Sequence, residues 1–147
     1  MDKKAAIAAL EQYRQELYDL SDEIWMYSET AFKEVESCKA LSNFMEARGF
    51  EVKRGLGVLP TAFSATYGSG KPVIGLLGEY DAMAGLSEVT EEFRLHEPNG
   101  KSNAQGCGHN LLGMGAIAAA LIAKEYLKAH PGEGTVIFFG TPAEEGG

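Results

Sequence analysis

The sequence has 147 residues, 45% of them hydrophobic and 23% charged, which excludes a disordered chain and permits a core burying about 70% of the surface exposed on unfolding. Thirteen Lys and Arg stand against 21 Asp and Glu, a formal net charge of -8 and the wrong sign for a nucleic-acid partner. Eighteen glycines, about 12% of the chain, exceed the usual share of about 7%, and none precedes Gly49.

The N-terminus lacks the apolar block and cleavage site of a signal peptide, so the expected location is cytoplasmic. Ile7, Leu10, Tyr13, Leu17, Leu20 and Ile24 recur at spacings of three and four, which predicts one amphipathic helix. Val35, Cys38, Leu41, Phe44 and Met45 predict a second, stopped by Gly49 just past its end. Cys38 reads there as a small buried hydrophobe, and two cysteines are too few for a disulfide scaffold. From Gly49 the period changes. Phe50 to Lys53, Thr61 to Tyr67 and Pro72 to Leu77 read as strands, with Gly68-Ser69-Gly70 as a hairpin turn between the last two. Ser87 to Gln105 is polar, acidic and without apolar period, a long loop of the kind that tends to be functional. Asn110 is placed to cap the next helix, which runs to about Leu127 and stops near His130-Pro131-Gly132. Its uncharged apolar part, Leu111 to Ala123, is 13 residues, short of the roughly 20 that cross a bilayer, so no membrane span is expected. Thr135 to Phe139 reads as a buried strand. Strand, loop, helix, strand is a βαβ unit that sets Pro72 to Leu77 parallel to Thr135 to Phe139, with both C-terminal ends at the edge where open α/β sheets bind ligands.

Three polar clusters meet that edge: Gly78-Glu79-Tyr80-Asp81, Gly106-Cys107-Gly108-His109-Asn110 and Glu144-Glu145. If the chain stays extended, Glu79 and Asp81 share a face about 7 Å apart, as do the Cys107 thiol and the His109 imidazole. Taken singly, Glu144-Glu145 is a solvated acidic pair, Cys107 an inert thiol, His109 a cap or core residue and Asp81 a turn residue. Carboxylate, thiolate and imidazole on one spot have one economical explanation, a divalent cation that keeps the thiol ionised and offsets the repulsion between acids. Adjacent glutamates in a turn do not easily reach one atom, so one is expected to ligate and the other to take a proton from the attacking water. His96 reads as solvated and His130 as a dipole-complementing cap. Gly100-Lys101-Ser102 fails as a phosphate loop because Leu95 stands where a glycine is required. Gly113-Met114-Gly115 lies inside a helix, which favours close helix packing over a dinucleotide fingerprint.

The strings GEYDAMAGLS, GCGHNLLGMGAIAAA and GTPAEEGG, in this order, resemble the co-catalytic metallopeptidase and amidohydrolase family of aminoacylase and glutamate carboxypeptidase, within it the p-aminobenzoyl-glutamate, hippurate and auxin-conjugate hydrolase branch. The resemblance implies an α/β, zinc-peptidase-like catalytic domain with a mixed, partly parallel sheet flanked by helices in three layers. It implies Cys107, His109 and Glu145 as metal ligands, Glu144 as general base, Asp81 as the acidic residue that supports the metal site, and two divalent metal ions, zinc or manganese. Glu79 stands where the wider family has a ligand histidine. The implied activity is hydrolysis of the amide bond of an N-acyl or aminobenzoyl amino acid, the alternatives being a dipeptidase of the β-alanyl-lysine type or a non-catalytic fragment. On the same resemblance, residues 1–147 are expected to be the N-terminal part of the catalytic domain, with the rest of that domain and a lid-like domain for dimerisation and substrate binding expected outside them. A homodimer is implied for the full-length form, with small-molecule substrates and neither nucleic acid nor membrane as partner.

Overall fold

A computed structural model describes residues 3–86 and 102–146. Its helices are α1 (Lys3–Glu11), α2 (Arg14–Tyr27), α3 (Val35–Ala47) and α4 (His109–Ala129). Its strands are β1 (Glu51–Leu56), β2 (Leu59–Ser69), β3 (Val73–Glu79), β4 (Met83–Ala84), β5 (Asn103–Ala104) and β6 (Gly134–Thr141).

Two helices, α1 and α2, stand where the periodicity reads one. At the break the Gln12 side chain donates to the Ala9 carbonyl and the Tyr13 N–H to that of Leu10. This frees α1 to lie along α4 while α2 packs against both α3 and α4. Leu17, Leu20 and Ile24 are buried as expected, whereas Ile7 is exposed. On α3 the apolar stripe buries Cys38, Leu41 and Met45 but leaves Val35 exposed, and Gly49 takes the left-handed conformation at φ +81°.

The main sheet has the order β1-β2-β6-β3. β1 and β2 form the hairpin, with Leu56 opposite Leu59 across Gly57-Val58. β6 lies between β2, antiparallel, and β3, parallel. The expected hairpin turn at Gly68-Ser69-Gly70 is therefore not one. Those glycines answer a different need: a Cβ on Gly70 would sit 2.1 Å from the Gly132 carbonyl oxygen, and one on Gly68 2.6 Å from that of Gly134. The chain entering β6 passes directly against them. The parallel pairing of β3 with β6 runs from Val73 opposite Thr135 to Glu79 opposite Thr141, as the βαβ reading requires.

A single core joins Leu17, Leu20 and Ile24 of α2, Leu41 and Met45 of α3, and Met114, Ile117 and Leu121 of α4 to the sheet face of Phe63, Ala65, Val136 and Phe138. By length and composition α4 is apolar enough to cross a membrane, yet here it is the core helix. Its start differs from expectation. Asn110 does not cap it: the preceding residue is Gly108, the Asn110 N–H is taken by the Gln105 side-chain oxygen, and the Asn110 side chain donates to Ser21 Oγ. Residues 87–101 of the long loop, with His96 and most of Gly100-Lys101-Ser102, lie outside the described residues. At its base β4 and β5 pair antiparallel.

Candidate metal centre

The C-terminal ends of β3 and β6 lie side by side, and α4 begins above them because two glycines face each other. A Cβ on Gly78 would be 3.3 Å from Gly113 Cα, and one on Gly113 would be 3.0 Å from the Glu79 carbonyl oxygen. His109 stands four residues before Gly113, one turn back along the same face, so this approach carries its imidazole to the end of β3. Small-residue packing is thus the role of Gly113, as its place inside a helix implies.

His109 is buried. Its Nδ1 lies 3.0 Å from the Asp81 carbonyl oxygen and 3.1 Å from Asp81 Oδ1. Both oxygens accept only, so Nδ1 donates here and Nε2 is the nitrogen turned outward. Nε2 faces Glu79 Oε2 at 3.3 Å, Glu144 Oε2 at 3.7 Å and Glu145 Oε1 at 3.9 Å. The two adjacent glutamates of the 3₁₀ turn Glu144–Gly146 therefore do approach one atom, contrary to expectation. What separates them is exposure: the Glu144 side chain is 51% exposed and that of Glu145 21%. Asp81, fully buried, joins the clusters: its Oδ2 accepts the Glu145 N–H at 2.8 Å. Glu79 and Asp81, expected on one face of an extended segment, both reach the His109 imidazole, but at opposite ring nitrogens. Cys107 reaches the site through a turn and the left-handed Gly108, φ +81°, rather than through an extended segment.

Donor atoms of Cys107, His109 and Glu145 lie within 4.8 Å of one another. Glu145 Oε1 is buried with no hydrogen-bond partner. Among the described residues no Lys or Arg pairs with Glu79, Asp81, Glu144 or Glu145. The hydrogen bond with the Glu145 carboxylate, ahead of desolvation and of the charges on Glu145, Glu144 and Glu79, holds the exposed Cys107 thiol above its ordinary range. A thiol, an imidazole nitrogen and an orphaned carboxylate oxygen, with no described Lys or Arg beside them, make a donor set that fits a borderline divalent cation. Cys38 differs: burial, first, pushes its thiol up, and it packs in the core as a hydrophobe.

Residues 75–147 match the model of Peptidase family M20/M25/M40. The chain belongs to this family. It is 48% identical to a p-aminobenzoyl-glutamate hydrolase subunit of Escherichia coli K12 over 95% of its own length and 29% of that protein. To the mouse Xaa-Arg dipeptidase it is 32% identical, over 99% of this chain and 32% of that one. The M20 chain thus spans about a third of the length of these relatives. A dinuclear metal binding peptidase of the M20 family from Bacillus subtilis superposes with a TM-score of 0.73 at 23% identity, over 92% of this chain and 37% of that one. The shared fold is the mixed, partly parallel sheet flanked by helices.

A cleft of about 360 Å³ opens beside Glu145, lined by Thr30, Ala31, Lys33, Ala82, Met83 and Ala84. A mainly apolar cavity of about 420 Å³, at the opposite ends of the strands around Pro72, Ile74 and Thr135, is remote from these donors. The sequence reading did not single out Glu29, Glu34 or Gln105. Glu29 accepts the α3 amides of Glu36 and Ser37, and Gln105 accepts that of Asn110. Nothing in their local spacing marks such contacts.

Proposed function

We propose that the protein carrying this chain is a metal-dependent amidohydrolase that cleaves the amide bond between an acyl or aminobenzoyl group and an amino acid. The observation that carries the reading is the His109 imidazole, turned by Asp81 so that Nε2 faces a cluster of carboxylates that no described Lys or Arg pairs with. Cys107, His109 and Glu145 hold a divalent ion, and Glu79, 3.3 Å from the same nitrogen, is the carboxylate available to a second. The two ions, zinc or manganese, supply Lewis acidity toward the substrate carbonyl. Asp81 fixes the tautomer and direction of His109. Glu144, the most exposed of the acids, takes a proton from the attacking water and returns it to the leaving amine. The cleft beside Glu145 receives part of the substrate.

Likeness to the Escherichia coli p-aminobenzoyl-glutamate hydrolase favours an N-aminobenzoyl or N-acyl amino acid. The Xaa-Arg dipeptidases, at 32% and 30% identity, support a dipeptide as the second reading. Residues 1–147 are, on this proposal, the N-terminal part of the catalytic domain of a cytoplasmic homodimer. The test is hydrolysis of p-aminobenzoyl-glutamate and of Xaa-Arg dipeptides by the full-length protein, with metal content measured on the same samples. Glu144→Gln is expected to keep its metal and lose on the order of a hundred- to ten-thousand-fold in turnover. Near-normal turnover would remove Glu144 from the role, and Cys107→Ser with undiminished metal after dialysis would remove Cys107.

A further inference from the structure

Glu34 is a fully buried carboxylate at the N-cap position of α3, yet its side chain makes no cap hydrogen bond there. Glu29 supplies the cap instead, accepting the Glu36 and Ser37 N–H groups at 3.0 and 2.8 Å. Glu34 is therefore free of its own helix and turns away from it. Its Oε1 accepts the N–H groups of Phe32 and Ala143, each at 2.9 Å, and its Oε2 accepts the Thr61 hydroxyl at 3.1 Å. No Lys or Arg pairs with it among the described residues.

The two amides that share Oε1 belong to unusual residues. Phe32 and Ala143 both stand at φ +66°, and Ser28 is the other non-glycine at positive φ among the described residues. L-residues hold this conformation only where the surroundings over-determine it. Ala143 immediately precedes Glu144, and its carbonyl accepts the Gly146 N–H at 3.2 Å. The backbone of Ala143 thus sets the direction of the 3₁₀ turn that carries Glu144 and Glu145. The segment holding Glu34 touches both site loops. The Ala82 N–H, next to Asp81, donates to the Glu29 carbonyl at 2.8 Å, and a Cβ on Gly146 would lie 2.9 Å from Ala31 Cβ. On the other side of Glu144, Asp81 takes the Glu145 N–H. Two buried carboxylates from separate parts of the chain consequently pin the amides flanking Glu144, whose own side chain stays exposed.

We infer that Glu34 is a positioning residue for the Glu144-Glu145 turn, fixing the left-handed Ala143 and, through it, the aim of both glutamates. This rests on the roles proposed above for Glu144 and Glu145. The test compares Glu34→Ala, Glu34→Gln, Ala143→Pro and the double variant Glu34→Ala, Ala143→Gly in the full-length protein. Three readouts apply: amide hydrogen exchange at Ala143 and Glu145 in metal-free protein, Co²⁺ affinity with its visible spectrum, and kcat against KM. Glu34→Ala is expected to speed exchange at both amides, weaken Co²⁺ binding about tenfold and lower kcat by about thirtyfold, with KM little changed. Glu34→Gln keeps an oxygen for both N–H groups and stays within about threefold of the parent. Ala143→Gly relieves the left-handed strain and recovers a good part of the loss, which a residue serving only stability would not allow. If Glu34→Ala does not fold, Ala143→Pro removes the same N–H from the other side and carries the same expectation for exchange at Glu145, Co²⁺ affinity and kcat. A folded Glu34→Ala with parental exchange at both amides, Co²⁺ affinity and kcat overturns the inference, as does Ala143→Pro with parental exchange at Glu145, Co²⁺ affinity and kcat, or a double variant with no recovery. Cys107→Ser, measured alongside, separates the failures: parental Co²⁺ affinity in that variant overturns the metal-site reading itself, whereas Co²⁺ loss there beside an unaffected Glu34→Ala overturns the positioning role alone.

Discussion

The two ring nitrogens of His109 face carboxylates from different parts of the chain, and Asp81 decides which nitrogen turns toward Glu79, Glu144 and Glu145. One of its oxygens receives the Nδ1 proton and the other the Glu145 N–H, so a single carboxylate orients two donors. Asp81→Asn must turn an NH₂ toward one of them. It is expected to weaken divalent metal binding by about ten- to a hundredfold, within the range for carboxylates that orient a ligand histidine; competition with a chromophoric chelator measures it, and parental affinity would remove Asp81 from the role. The two thiols should separate equally clearly. Cys107 is exposed and Cys38 buried, so iodoacetamide should label Cys107 in native metal-free protein and Cys38 only after unfolding, with Zn²⁺ slowing the first reaction. Labelling of Cys107 at the same rate with and without Zn²⁺ would count against it as a ligand. The residues at the strand ends were legible in the sequence because thiol, imidazole and acid cluster beside glycines. Glu34 was not, since its partner Ala143 is 109 residues away and an acid opening a helix reads as an ordinary dipole contact.

At the scale of elements, composition alone could not distinguish a chain that turns from one that is closely passed. Gly68-Ser69-Gly70 between two β-rich runs has the look of a hairpin, but β6 inserts between those runs and the glycines face its entry. Gly70→Ala meets both a left-handed φ of +94° and a carbonyl oxygen 2.1 Å from the new Cβ. It is expected to cost about 3 kcal/mol or more in urea denaturation. Gly115, in the interior of α4 with open space around its would-be Cβ, provides the contrast: Gly115→Ala should stabilise by roughly 0.5–1 kcal/mol. Equal effects at the two positions would contradict the packing described. The helix break at Gln12 was illegible for a related reason. The three-and-four spacing continues across it, and only the separate packing of α1 on α4 requires the chain to turn.

For the molecule as a whole, the parallel βαβ pairing was readable from element order, while the placement of β2 beside β6 was not, because no local signal states which strand a central one accepts on its far side. Among the described residues the sheet ends on β3, an edge strand in which Val73 and Leu77 are 57% and 64% exposed. An apolar edge of that kind invites pairing with another strand. The 147-residue chain by itself is expected to self-associate with rising concentration in sedimentation velocity, and Leu77→Lys to suppress it; a monomer at every concentration would refute this. The order of the strands has a consequence in time as well as in space. β6, flanked by β2 and β3, is the last of the four to be synthesised, and chains emerge N-terminus first. The β1–β2 hairpin can form early, but β3 has no neighbour in the sheet until residue 141 has left the ribosome, and Glu144-Glu145 follow within four residues. Loop closure over this separation is slow compared with local pairing. Sheet completion and assembly of the donor cluster are therefore one late event, and until it occurs the nascent chain presents Cys107 and His109 without the carboxylate that completes their set.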